Sequence, residues 1–139
     1  MLKSKSRNSE LQWRSDPRGA GERPETHPVM RLWAMDAWIH PSPILTDVGG
    51  LRSIMCDAAR NGGVKVLGEK FCVFDNSAVT GVLVLAQSHL SIHTWPEFGM
   101  ANVDLLSYGK LQGESVMQEI ARSINAERVN LECVLRAIP

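Results

Sequence analysis

Ala86–Gly99 reads A-Q-S-H-L-S-I-H-T-W-P-E-F-G. From Ser88 to Trp95 the stretch alternates with period two. Leu90, Ile92 and Thr94 share a face with Ser88, while His89, Ser91, His93 and Trp95 take the other. This is the pattern of a strand with one buried face. The residues just before it, T-G-V-L-V-L-A from Thr80 to Ala86, form an apolar run suited to a buried strand over Val79–Ala86. Pro96-Glu97-Phe98-Gly99 then turns the chain. Two of the chain's four histidines and a serine therefore sit on one strand between apolar neighbours.

Working outward, Val29–Ile39 is a strand, with Leu32 and Ala34 on one face and Trp33, Met35 and Ala37 on the other. Pro41 and Pro43 end it, since neither can donate to a ladder. Thr46 or Asp47 caps a helix that runs to Asn61, with Val48, Leu51, Ile54, Met55, Ala58 and Ala59 at helical spacing. Asn61-Gly62-Gly63 stops it. Val64–Leu67 and Lys70–Phe74 form a strand interrupted at Gly68, where a bulge is expected, and Asp75–Ser77 is a turn. Ala101–Tyr108 is a further strand. Glu114–Asn125 is an amphipathic helix with Val116, Met117, Ile120, Ala121 and Ile124 on its stripe. Arg128–Ile138 closes the chain as a strand, with Val129, Leu131, Cys133 and Leu135 inward. The order β-α-β-β-β-β-α-β implies an α+β two-layer sandwich, an antiparallel sheet with two helices on one face. The other face is left bare, so a homo-oligomer or another sheet is expected to cover it.

Residues 1–28 differ in kind. They hold six Lys/Arg and four Asp/Glu, with no apolar periodicity, and cannot bury enough surface to offset their ordering entropy. They are expected to be a disordered tail ahead of a domain over 29–139. The 139 residues suffice for one core. The net formal charge of zero gives no reason to expect nucleic acid as a partner. No apolar run is long enough to span a bilayer, and the N-terminus lacks the apolar middle of a secretory signal. Three widely spaced cysteines, Cys56, Cys72 and Cys133, read as reduced thiols in a cytoplasmic protein.

From residue types alone, His89, Ser88 and His93 admit three readings. The histidines can be inert and hydrogen-bonded. They can bind metal, but four residues of strand separate them by about 13 Å, too far for one ion about 2 Å from each nitrogen, so no metal is expected. They can serve a Ser-His hydrolase, although the G-x-S-x-G elbow and an orienting acid are absent.

A fourth reading rests on likeness. Q-S-H-L-S-I-H-T-W-P-E, Gln87–Glu97, resembles the self-processing segment of prokaryotic S-adenosylmethionine decarboxylase proenzymes, whose pattern reads roughly E-S-H-(L/I)-(T/S)-I-H-T-(W/Y)-P-E. Upstream, F-C-V-F-D-N-S-A-V-T-G-V-L-V-L-A is similar to the family's phenylalanine-bearing strand, turn and apolar strand. Downstream, A-N-V-D-L-L-S-Y-G is similar to a strand that ends T-C-G. The likeness covers about Met30–Ile138. It implies that Ser88 attacks the carbonyl of Gln87 to give an ester. A base then removes the serine α-proton, elimination breaks the chain between 87 and 88, and hydrolysis leaves a pyruvoyl group derived from Ser88. His93 is the implied base, and Thr80 stands where the family carries an assisting serine hydroxyl. The pyruvoyl carbonyl takes the substrate amine as a Schiff base and drains electrons as carbon dioxide leaves. The implied product is the aminopropyl donor for spermidine, in polyamine biosynthesis. Phe74, with Phe71, offers a ring for adenine, though each reads equally well as a core aromatic. Glu97 either contacts a substrate cation or closes the turn.

Two residues depart from the family. Gln87 replaces a usual glutamate. The attacked group is the backbone carbonyl, so cleavage is expected to survive. Tyr108 stands at the position of the cysteine that returns a proton to the substrate carbon. A phenol is a weaker acid than a thiol and much larger, so it reshapes the pocket. That change admits two rival readings: a pyruvoyl decarboxylase of ornithine or arginine, or a non-catalytic homologue that binds an active subunit. The binding partner would remain one chain of full mass, whereas either enzyme would split at Gln87–Ser88.

Overall fold

Period-two alternation over successive stretches builds one sheet. A computed structural model describes residues 29–136 together with the backbone of Leu11–Trp13. Its strands are β1 (Leu11–Trp13), β2 (Met30–Ile39), β3 (Val66–Val73), β4 (Val79–Leu85), β5 (Ser88–Trp95), β6 (Met100–Tyr108) and β7 (Ala126–Arg136). They pair in the order β1-β7-β2-β6-β5-β4-β3. Every neighbouring pair is antiparallel except β1–β7. The helices are α1 (Val48–Asn61) and α2 (Gly113–Ser123). From β2 onward the order is the expected β-α-β-β-β-β-α-β.

The helices share one core with one face of the sheet. Leu51 and Met55 of α1 and Val116, Met117 and Ile120 of α2 are buried against Met35, Leu83, Leu90, Ile92, Val103, Leu105 and Leu131. Local chemistry sets the ends of α1. The Asp47 carboxylate accepts the Gly50 N–H at 2.9 Å, after a short 3-10 turn at Pro43–Thr46. Gly63, at φ 91°, takes the chain out of the helix. The register of β3 against β4 shifts between Val66 and Gly68, where the sequence implies a bulge.

Three expectations are corrected. Within the segment expected to lack structure, Leu11–Trp13 forms β1, which pairs Leu11 with Val129 and Trp13 with Leu131; residues 1–10 and 14–28 lie outside those described. On β7 the core ends at Leu131: Cys133 is half-buried, Leu135 is 39% exposed, and residues 137–139 are not described. Alternation assigns a face but cannot say where the covering helices stop. Phe71 offers no open stacking surface. It pairs with Gly81 on the helix side, and a methyl at 81 would lie 2.1 Å from its ring. Phe74 lies beyond the end of β3 and is 49% exposed.

Candidate active site

The peptide between Gln87 and Ser88 sits where β4 turns into β5. Leu85 pairs with Ser88, so Ala86 and Gln87 form the whole turn. Gln87 has φ 64°, a left-handed conformation that costs a non-glycine residue about 1–2 kcal/mol. The strained residue is the one whose carbonyl would be attacked. Ser88, on the helix side by alternation with Leu90, has a buried hydroxyl oxygen that makes no hydrogen bond among the described residues. In a folded protein such a group is costly unless something else recruits it.

Tyr108 belongs to the same end of the sheet. β5 and β6 pair His89 with Leu106; continuing that register brings Ser88 level with Ser107 and Gln87 level with Tyr108. Ser107 is buried, accepting the Trp33 indole N–H at 3.1 Å. A cleft of about 480 Å³ opens here, lined by Arg31, Trp33, Ser107 and residues of the loop into α2.

A second cluster lies at the far end of β5, on the open face. Thr80 pairs with His93 across β4 and β5, and Thr80 Oγ1 lies 2.6 Å from His93 Nδ1. The imidazole stands between two rings, Phe74 at 5.9 Å and Trp95 edge-on at 4.4 Å between centroids. Glu97 joins the cluster by accepting the Asn76 side-chain N–H at 3.2 Å. Thus Phe74, Thr80, His93 and Glu97 are brought together. Gln87 and Ser88 share the other end of the sheet with Tyr108, where alternation puts Ser88 with buried Ser107 on the helix side and Tyr108 on the open face. Five residues of extended strand separate Ser88 from His93, about 17 Å at the usual rise, and the two side chains project from opposite faces of β5.

Sequence reading missed Asn76, Asn102 and Asp36. Asn102 accepts the Trp95 indole N–H at 2.6 Å and donates to Asp36 at 2.7 Å. For Asp36 and Asn102 the signal is parity: on β2 and β6 they fall on the sheet face to which β5 contributes His93.

Asp104 lies two residues from Asn102 on the same face. Its side chain is exposed, yet the surrounding sheet strips part of its carboxyl's hydration. That desolvation, with repulsion from Asp36, raises its pKa against the opposing pull of His89. A carboxyl raised in the fold binds its proton more tightly there than in the unfolded chain. The charged form therefore costs stability above the raised value, and the cost vanishes as pH falls toward the ordinary value of about 3.9. Asp104→Asn is expected to raise Tm at pH 7 and to lose that advantage on approach to pH 4. A Tm difference constant across this range would contradict the assignment.

The pattern of the S-adenosylmethionine decarboxylase family matches residues 31–137. An S-adenosylmethionine decarboxylase proenzyme of Thermodesulfovibrio yellowstonii is 37% identical over 95 residues, spanning 68% of this chain and 66% of that protein. One from Methanococcus maripaludis is 32% identical over 113 residues, spanning 81% and 88%. The crystal structure of the adenosylmethionine decarboxylase from Aquifex aeolicus matches with a TM-score of 0.74 at 25% identity, over 82% of this chain and 95% of that one. The order of strands, the Gln87–Glu97 segment and these likenesses agree: the chain belongs to the S-adenosylmethionine decarboxylase family.

Proposed function

We propose that this chain is a cytoplasmic, self-processing, pyruvoyl-dependent decarboxylase that acts on S-adenosylmethionine and supplies the aminopropyl donor for spermidine. The observation that carries the reading is the Gln87–Ser88 peptide: a left-handed residue at the carbonyl and an unpartnered buried hydroxyl on the next residue. Both features are costs to the fold, and both are consumed by attack of Ser88 Oγ on the Gln87 carbonyl. The amide becomes an ester and the Ser88 amine is freed. Loss of the Ser88 α-proton then expels Gln87 as a carboxylate, and hydrolysis of the remaining enamine releases ammonia.

The α-proton needs a base, and within one chain His93 stands about 17 Å of strand away. The site is therefore read as shared between two copies. In a two-fold dimer, surface i of one copy meets surface j of the other, and the reverse also holds. The Gln87–Ser88–Tyr108 end of each copy then faces the Thr80–His93–Phe74–Glu97 cluster of its partner, giving two sites. The open face has the apolar surface such a dimer needs, with Val84 and Val134 each 51% exposed.

Within that site the pyruvoyl group supplies an electron sink for loss of carbon dioxide. The side chains bind and orient. Phe74 offers an open ring to an adenine, and Glu97 a carboxylate to a cationic or hydroxylated part of the substrate. Tyr108, level with position 87 in register, is the phenol that returns a proton to the substrate carbon.

Release of labelled carbon dioxide from carboxyl-labelled S-adenosylmethionine tests the substrate. Tyr108 also favours a second reading, decarboxylation of ornithine or arginine, because the larger side chain narrows the site. The same assay with those amino acids separates the two. Tyr108→Cys is expected to raise turnover of S-adenosylmethionine about tenfold, a fraction of the hundredfold or more that a positioned general acid contributes. An unchanged rate in a fully processed variant would remove Tyr108 from the substrate carbon.

A further inference from the structure

The imidazole of His93 is fixed from two sides, and one of them is backed by a row of polar side chains across the sheet. On one side Thr80 Oγ1 lies 2.6 Å from Nδ1; in the tautomer whose Nδ1–H donates to that oxygen, Nε2 is the nitrogen free to take a proton. On the other, the Trp95 indole packs edge-on at 4.4 Å with an interplanar angle of 64°. Trp95 is 36% exposed and stands on an open sheet face, so packing alone does not hold its ring. Phe98 lies 6.2 Å from it between centroids, and a string of hydrogen bonds across three strands fixes its N–H edge. The indole N–H donates to Asn102 Oδ1 at 2.6 Å, and Asn102 Nδ2 donates to Asp36 Oδ1 at 2.7 Å. The register makes this row continuous: His93 pairs with Asn102, and Asn102 with Asp36. The Asp36 carboxylate accepts only, so the Asn102 amide must turn its N–H toward Asp36 and its carbonyl toward Trp95. The charge on Asp36 strengthens that choice.

We infer that Asn102 and Asp36 are positioning residues for His93, setting the imidazole for proton abstraction through Trp95. The inference rests on the reading of His93 as the processing base. Loss of either residue frees the indole and lets the imidazole swing. Proton abstraction is sensitive to such misplacement, and a shift of about 1 Å can cost a hundredfold. Attack of Ser88 on Gln87 needs no imidazole at that point, so the ester is expected to form and accumulate.

The test follows processing of the full chain by mass, with hydroxylamine added to cleave any ester. Asn102→Ala and Asp36→Ala are expected to convert ester to pyruvoyl end about ten- to a hundredfold more slowly, with hydroxylamine-sensitive chain building up. Asp36→Asn keeps an acceptor for Asn102 and is expected to process within about twofold of the unchanged protein. Asn102→Asp matches the asparagine in shape and keeps the acceptor for Trp95, but loses the donor to Asp36. It should be slow as well, and it guards against misfolding of the alanine variant. A merely structural role would slow ester formation and elimination alike and would not distinguish Asp36→Asn from Asp36→Ala. Wild-type processing rates in Asn102→Ala, or equal slowing in the two Asp36 variants, would overturn the inference alone. An unsubstituted chain that never splits would overturn the processing reading and this inference with it.

Discussion

Ser88→Ala is expected to leave a single uncleaved chain with no decarboxylase activity, a total loss on both counts. The substitution removes one oxygen, and the Ser88 hydroxyl makes no hydrogen bond among the described residues. Stability should hold or rise, since a buried hydroxyl without a partner costs about 1–3 kcal/mol. That combination separates chemistry from folding: the variant should melt at or above the parent temperature while both cleavage and turnover vanish. The Gln87 left-handed turn remains in the variant, so strain without the nucleophile should give no cleavage over days. An alanine variant that still splits at 87–88 would show that the hydroxyl is not the attacking group.

His93→Ala is expected to stop one step later. With the imidazole gone, the ester forms but its α-proton has no base, and conversion should slow by about a hundred- to ten-thousandfold, the usual contribution of a positioned base. Hydroxylamine should then release two chains. Co-expression gives a sharper result. In a dimer that pairs a Ser88→Ala copy with a His93→Ala copy, one site joins the intact Ser88 of the second copy to the intact His93 of the first. The other site lacks both groups. Co-expressed chains should therefore regain cleavage, confined to the His93→Ala chain, although neither variant cleaves alone at a normal rate. Failure to regain it would mean that serine and histidine act within one chain, against the distance along β5.

Most of the fold is legible because its signals are local. The alternation of Ser88–Trp95, the helical spacing of Val116, Met117 and Ile120, and the break at Asn61-Gly62-Gly63 each act within a few residues, and the observed elements start and stop close to those signals. The Thr80–His93 pair was accessible through family likeness, and the antiparallel register of β4 and β5 gives it a physical basis. What escaped reading depends on neighbours distant in sequence. Asn102 and Asp36 are brought together only because β2 inserts between β6 and β7, sixty-six residues away in the chain. Phe71 and Phe74 look alike in sequence, yet parity sets them on opposite faces and Gly81 makes room for one of them. β1 alternates over only three residues, Leu11-Gln12-Trp13, too short a run to announce a strand; its backbone pairs with the edge of β7, and edge pairing requires little of the side chains. The left-handed Gln87 is a glutamine in a two-residue turn, with no glycine to mark the conformation.

The separation of the two residue clusters is also a reason the sequence misleads. Ser88 and His93 stand five residues apart and read as partners. On a helix, residues three or four apart share a face; on a strand, an odd spacing puts them on opposite faces, and five residues of rise keep them apart. The same chemistry remains available once a second copy supplies the missing half.

The intact mass of the purified full-length protein under denaturing conditions tests the central claim most directly. Two chains that break between Gln87 and Ser88, the second without a free N-terminal amine, are the expected result and would establish the pyruvoyl end. A single chain of full mass, unchanged on prolonged incubation, would contradict self-processing and leave a non-catalytic member of the family.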